Sequence, residues 1–67
     1  MRTLGIDPAI RNTGFAILEG DHATAKALDY GVISIPQKVP QSKALDAIYS
    51  HIKNLIKKWE PDEVAVE

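Results

Sequence analysis

The spacing of the apolar residues changes twice along the chain, and these changes limit the folds available to it. In the first half the apolar residues form short runs separated by polar turns, which is typical of β-strands. Over residues 42–59 they recur every three or four positions, which predicts an amphipathic helix with Ser42 as its N-cap. Pro61 ends this helix, and residues 62–67 are predicted to form a further strand. This order of predicted strands and helix indicates an α/β domain with a mixed sheet.

The predicted strands of the first half cover residues 1–6, 15–18 and 27–35. Because short turns join them, we expect an antiparallel meander that begins with a hairpin. The third strand starts with Leu28 and Tyr30 on one face, but Ile33 then falls on the other. This slip predicts either a β-bulge at Gly31 or a strand that changes which face it buries along its length.

The predicted helix has one apolar and one polar face. Its apolar face comprises Leu45, Ile48, Tyr49, Ile52, Leu55, Ile56 and Trp59. We expect this face, with Tyr49 and Trp59 in the core, to pack on the sheet. Lys57 and Lys58 fall in the last turn, where they complement the helix dipole; DNA contact is the alternative role.

Composition excludes several classes of protein. The chain has 67 residues and no cysteine, which predicts one domain at most, without a disulfide framework or a thiolate metal site. Its start lacks the basic flank and the long apolar stretch of a signal peptide, so we expect a cytoplasmic protein without a membrane partner. The formal net charge of −1 gives no broad positive field, so any contact with DNA must be local.

Asp7 closes the first strand and is followed directly by Pro8. An ionised carboxylate at the end of an apolar strand needs a hydrogen bond, a cation or a metal ion. Asp-Pro also starts turns well, because the Asp side chain can accept hydrogen bonds from the nearby backbone. The residues themselves leave both interpretations open.

Glu67 closes the fourth strand in the same way. A strand that follows a helix is placed most easily parallel to an earlier strand, through a right-handed crossover. If that neighbour is the first strand, Asp7 and Glu67 meet at one sheet edge, where Mg²⁺ or Mn²⁺ would offset their repulsion. Two unrelated surface acids are the alternative.

The loop after the first strand carries three candidate DNA-binding residues. Arg11 could neutralise a phosphate, and Thr13 and Gly14 could line one. The alternatives are that Arg11 is simply solvated, that Thr13 is a strand-edge hydroxyl and that Gly14 is an ordinary turn residue. His22 and His51 have no neighbouring ligand at metal-binding spacing, so we expect His22 to be exposed and His51 to lie between the helix faces.

The segment LGIDPAIRNTGFAIL, followed by the predicted helix and PDEVAVE, resembles the N-terminal part of the RuvC family of Holliday junction resolvases. The order and spacing of G-I-D-P, T-G and P-D-x-x-A-x-E carry the resemblance, which spans the whole chain. It implies the ribonuclease H-like fold, in which three antiparallel strands and a parallel pair form a mixed sheet. Residues 1–67 would then be the N-terminal portion of a single nuclease domain.

The resemblance also implies an activity. Asp7 and Glu67 match two of the family's four catalytic acids, which hold two divalent ions, Mg²⁺ or alternatively Mn²⁺, for hydrolysis of a DNA phosphodiester. The implied partner is a four-way DNA junction, which a homodimer cuts in recombination and repair.

The chain departs from the family in two ways. The family's other two acids and its fifth strand lie beyond Glu67, so we expect an incomplete site and little or no activity from these residues alone. Ala9 stands where the family usually has Gly, which would strain the loop if this position needs positive φ. An actin-like ATPase or phosphotransferase fragment and a non-catalytic DNA-binding remnant stay open as alternative functions.

Overall fold

The computed structural model describes residues 1–21 and 23–67, which form a four-stranded mixed sheet with a helix on one face. The elements are β1 (Arg2–Asp7), β2 (Asn12–Glu19), β3 (Lys26–Ser34), α1 (Gln41–Trp59) and β4 (Glu63–Val66). The strand order is β3-β2-β1-β4, with β2 antiparallel to both of its neighbours and β4 parallel to β1. The predicted meander, helix and parallel strand are therefore confirmed. The prediction for His22 falls outside the described residues.

The core lies between α1 and the three antiparallel strands. Leu4 of β1 pairs with Ile17 of β2, and both side chains are fully buried against Leu55 of α1. The partly buried residues packed around them are Ile6, Phe15, Leu28, Ile52 and Trp59. In the described part of the chain, the helix is not long and apolar enough to cross a membrane.

The bulge in β3 lies at Leu28, so the prediction of a bulge at Gly31 is wrong. Ile17 pairs with Asp29 and Leu18 with Ala27, which leaves Leu28 as the extra residue of β3. Gly31 pairs regularly with Phe15. An extra residue early in a strand resets its alternation, so Leu28 reaches the core although Tyr30, two positions later, is 76% exposed.

The helix begins one residue before Ser42, and the prediction of Ser42 as its N-cap is wrong. Pro40 is the N-cap, with φ −57° and ψ 147°, and its carbonyl accepts a hydrogen bond from the Ala44 N–H at 2.9 Å. Proline suits this position because its ring fixes φ near the value found here. The helix ends at Trp59, and Glu60 is its C-cap, with a left-handed φ of 48° and an N–H that donates to the Ile56 carbonyl.

The helix face on the sheet is a narrower stripe than the apolar residues predict. Ala44 and Leu55 are buried, and Trp59 is half-buried against the core as expected. Tyr49, however, is 67% exposed, so its assignment to the core is wrong. Leu45, on one flank of this stripe, is 49% exposed as well.

Candidate active site

The candidate site lies where β1 ends, at the sheet edge that also receives the end of β4. Asp7 is the last residue of β1 and pairs across the antiparallel ladder with Gly14. Leu4 points into the core beneath α1, and side chains alternate along a strand. Asp7 therefore projects from the opposite face of the sheet, away from the helix, and its side chain is exposed.

Glu67 reaches the same place from β4. The parallel register pairs Gly5 with Ala65 and Ile6 with Val66, and the Glu67 N–H donates to the Ile6 carbonyl at 3.0 Å. The next pair in this register is Asp7 and Glu67. Because neighbouring strands lie about 4.8 Å apart and paired residues share a face, both carboxylates belong to one small patch on the open face. The predicted meeting of the two strand ends is confirmed.

The donor set of this patch suits a hard divalent cation but does not complete a site. Carboxylate oxygens are the ligands that Mg²⁺ and Mn²⁺ prefer, and Asp7 and Glu67 supply two carboxylates on adjacent strands. Residues 1–21 and 23–67 contain no group of three or more His, Cys, Asp or Glu side chains that could hold a metal ion. The patch therefore offers two of the oxygen ligands that such an ion would need.

Thr13 lies under the site but turns its side chain into the protein. It is only 1% exposed, and its hydroxyl donates to the Ala9 carbonyl at 2.6 Å and accepts from the Ala9 N–H at 3.4 Å. These two contacts hold the loop that follows Asp7. A direct DNA contact by Thr13 stays a prediction, and the structure gives its hydroxyl a different partner.

Arg11 belongs to the same loop and ties it to the segment before α1. Its Nη1 atom donates to the carbonyls of Pro36 at 3.0 Å and Val39 at 2.8 Å. The backbone of Arg11 also accepts a hydrogen bond from the Ile35 N–H at 2.9 Å. DNA contact by Arg11 likewise stays a prediction. The hydrogen bonds from Arg11 to Pro36 and Val39 were not indicated by the residue pattern.

Gly14 and Ala9 are the small residues around Asp7. A Cβ atom on Gly14 would lie 3.7 Å from the Asp7 Cβ, so the absence of a side chain there keeps the space beside the carboxylate free. Ala9 is not among the described residues with positive φ, of which Glu60 is the one non-glycine case. The alanine is therefore tolerated in this loop without backbone strain.

Sequence reasoning missed the residues that hold β4 in place. Arg2 contacts both Trp59, where α1 ends, and Asp62, just before β4. The signal that could have identified them is the lone arginine in an otherwise apolar first strand, together with the acid of the P-D motif. Arg2 and Asp62 lie at the opposite end of β1 from Asp7.

Comparisons with known proteins agree with this geometry. The family model of the crossover junction endodeoxyribonuclease RuvC matches residues 3–67. The RuvC of Akkermansia muciniphila is 64% identical to the chain over 67 residues, and that of Clostridioides difficile is 37% identical. Each alignment covers 100% of this chain and 40% of the relative, so the chain spans about 40% of the length of these relatives.

Two solved structures share the fold. A structure described as T. thermophilus RuvC in complex with Holliday junction substrate has a TM-score of 0.90 and 25% identity to the chain, covering 98% of this chain and 42% of its own. A second Thermus thermophilus RuvC structure has a TM-score of 0.87 and 28% identity, with 98% and 44% covered. The ribonuclease H-like fold class expected from the sequence is confirmed.

Proposed function

Because the chain belongs to the RuvC family of crossover junction endodeoxyribonucleases, we propose that it is the N-terminal part of a metal-dependent nuclease that resolves four-way DNA junctions. The observation that carries this proposal is the register that brings Asp7 and Glu67 to adjacent strand ends. An acid pair in that position has no role in the core, which lies on the other face of the sheet.

The two carboxylates would act as metal ligands. We assign Mg²⁺ to this site, with Mn²⁺ as an alternative and two ions in the complete centre. Bound there, the ions would activate the attacking water and stabilise the leaving oxygen of a phosphodiester. Asp7 and Glu67 would orient these ions, and the free space beside Gly14 would leave access to Asp7.

The remaining predictions concern the whole protein. We propose that the complete enzyme is a homodimer, which would place two sites on two strands of one junction. We also propose that it works in the cytoplasm on recombining DNA. Isolated residues 1–67 carry two of the acids, so little or no cleavage is expected from them alone.

An ATPase or phosphotransferase fragment is the second candidate, and the position of Thr13 weighs against it. A Thr-Gly phosphate loop needs a hydroxyl that can reach the nucleotide. The Thr13 hydroxyl is buried and bonded to Ala9. Binding of ATP that is lost in Thr13→Val and Gly14→Val, with both variants folded, would favour this second function.

The test uses a chimaera in which this chain replaces the matching 67 residues of the Akkermansia muciniphila relative. We expect junction-selective nicking in Mg²⁺, measured on a labelled four-way junction against a linear duplex. Asp7→Asn and Glu67→Gln should abolish it. Asp46→Asn, which removes an exposed acid on α1, is the matched control and should retain it.

Two results would contradict the proposal, and a third would contradict the expectation that the site is incomplete. A chimaera that nicks equally well with Asp7→Asn would remove Asp7 from the chemistry. A chimaera that binds the junction with wild-type and Asp7→Asn sequences alike, but never nicks it, would favour the non-catalytic remnant. Appreciable Mg²⁺-dependent cleavage by residues 1–67 alone would show that the site is complete without further acids.

A further inference from the structure

Within residues 1–67, burial of the β4 side chains does little to fix the position of this strand in the sheet. All four residues of Glu63–Val66 are exposed, including Val64 at 48% and Val66 at 65%. The register of a strand is specified strongly when one face is buried and weakly when none is. Shifting β4 by one residue along β1 would cost little burial, yet it would move Glu67 to the other face of the sheet and away from Asp7.

Backbone and side-chain hydrogen bonds at the start of β4 fix the register of β4 along β1. The Arg2 N–H donates to the Asp62 Oδ2 atom at 2.7 Å, and the Asp62 N–H donates to the Arg2 carbonyl at 2.7 Å. This reciprocal pair can form in one register alone, because it uses the main chain of Arg2 and both the main chain and the side chain of Asp62. The Thr3 hydroxyl adds a bond to Glu63 at 3.0 Å.

The guanidinium of Arg2 fixes the other end of the connection. Its Nη1 donates to the Trp59 carbonyl at 2.6 Å, its Nη2 pairs with Glu19 at 2.9 Å, and its Cζ lies 5.8 Å from the centre of the Trp59 ring. The carbonyls at the end of a helix lack partners within the helix, so a cation there is well placed. The segment between α1 and β4 is thus held at both ends by one residue.

We propose that Arg2 and Asp62 are positioning residues that set the register of β4 and thereby place Glu67 beside Asp7. This inference rests on the proposed function of the acid pair. The reciprocal bond lies five residues from each acid, about 16 Å along the strands, so its effect on the site passes through the register of the β1–β4 ladder. Neither residue touches the metal or the DNA in this role.

The test compares Asp62→Ala with Asp62→Asn, in the 67-residue chain for the register of β4 and in the chimaera for metal binding. Ala removes the acceptor of the Arg2 N–H, whereas Asn keeps an acceptor oxygen of the same reach. We expect Asp62→Ala to weaken Mn²⁺ binding by the chimaera, measured by electron paramagnetic resonance, because a slipped β4 turns Glu67 away from Asp7; the loss should be at least the roughly 10-fold that follows when a metal ligand is no longer held in place. Asp62→Asn should stay close to wild type.

NMR gives a readout of the register that does not depend on the metal. Wild-type protein and Asp62→Asn should show contacts between Gly5 and Ala65, and Asp62→Ala should lose or shift them. Ile52→Val, a conservative change in the core, is the stability control and should keep both the contacts and the Mn²⁺ affinity. Glu19→Gln, which removes the exposed ion pair of Arg2, should also keep both.

The outcomes separate this inference from the proposed function. Wild-type contacts between β1 and β4 in Asp62→Ala would overturn the register role, whatever the metal does. A chimaera with the wild-type sequence that binds no Mn²⁺ through Asp7, together with a β4 that slips in Asp62→Ala, would uphold the register role and count against the proposed metal site.

Discussion

The buried hydroxyl of Thr13 gives the sharpest test of how the site is built. Replacing Thr13 with Val keeps the shape of the side chain and removes its polar atom. The Ala9 carbonyl, now bonded to Thr13 Oγ1 at 2.6 Å, would lose that partner, and the Ala9 N–H would lose its 3.4 Å contact. We expect the loop after Asp7 to loosen and the domain to lose stability.

The size of this loss follows from the burial. The Thr13 side chain is 1% exposed, but Ala9 is exposed and its bonds to Thr13 are only part-buried, so water can partly replace Thr13 as the partner of the Ala9 carbonyl. The expected loss is therefore that of one ordinary hydrogen bond, about 1 kcal/mol. In a domain of this size, such a loss lowers the melting temperature by about 4–8 °C.

Urea unfolding followed by the fluorescence of Trp59 measures this loss, because Trp59 is the single tryptophan of the chain and packs against the core. Thr24→Val is the matched control. The Thr24 hydroxyl is exposed and bonds to Asp21, so its removal should change stability by no more than about 0.5 kcal/mol. A Thr13→Val protein as stable as Thr24→Val would refute the assignment of a structural role to the Thr13 hydroxyl.

Two further predictions concern β3 and the turn that precedes it. A Cβ atom on Gly31 would lie 3.2 Å from two atoms of the Phe15 ring. We therefore expect Gly31→Ala to destabilise the domain by about 1 kcal/mol in chemical denaturation, because the cost of overpacking exceeds the gain from a less flexible unfolded chain. The destabilisation should disappear in a Phe15→Leu background, and its persistence there would contradict overpacking as the cause. Hydrogen bonds lower the pKa of Asp21; the donors are the hydroxyl and the N–H of Thr24 and the N–H of Ala23. The stabilisation that Asp21 gives the folded protein is therefore present above its unfolded pKa and is lost as the pH falls through its folded pKa. NMR titration should show Thr24→Val raising the pKa of Asp21 towards its ordinary value, and an unchanged pKa would count against the hydrogen bonds as its cause.

The elements that local periodicity specifies could be predicted from the sequence. Alternating and helical spacings fixed the number and order of strands and helix, and the crossover rule placed the last strand beside the first. The meeting of Asp7 and Glu67 followed from these two facts, because parallel strands end at the same edge.

Features that depend on contacts between elements could not be predicted. Gly31 is the natural place for a bulge by residue type, but the Phe15 ring occupies the space above it and the extra residue falls at Leu28 instead. The 67% exposure of Tyr49 depends on how α1 packs on the sheet, which the apolar periodicity of the helix does not specify alone. The sequence within the loop likewise could not show that Thr13 and Arg11 are engaged by Ala9, Pro36 and Val39, since those partners are chosen by the packing.

The parallel pairing of β1 and β4 also sets the order in which the acid pair can form. Asp7 and Glu67 are 60 positions apart in the chain. At about 5–20 residues per second, a ribosome needs roughly 3–12 s to make the intervening chain, which is ample time for hairpins and helices to form. The antiparallel strands and α1 can therefore assemble first, and β4 joins the sheet after them. During synthesis, the two carboxylates come together only after the scaffold that separates them from the core already exists.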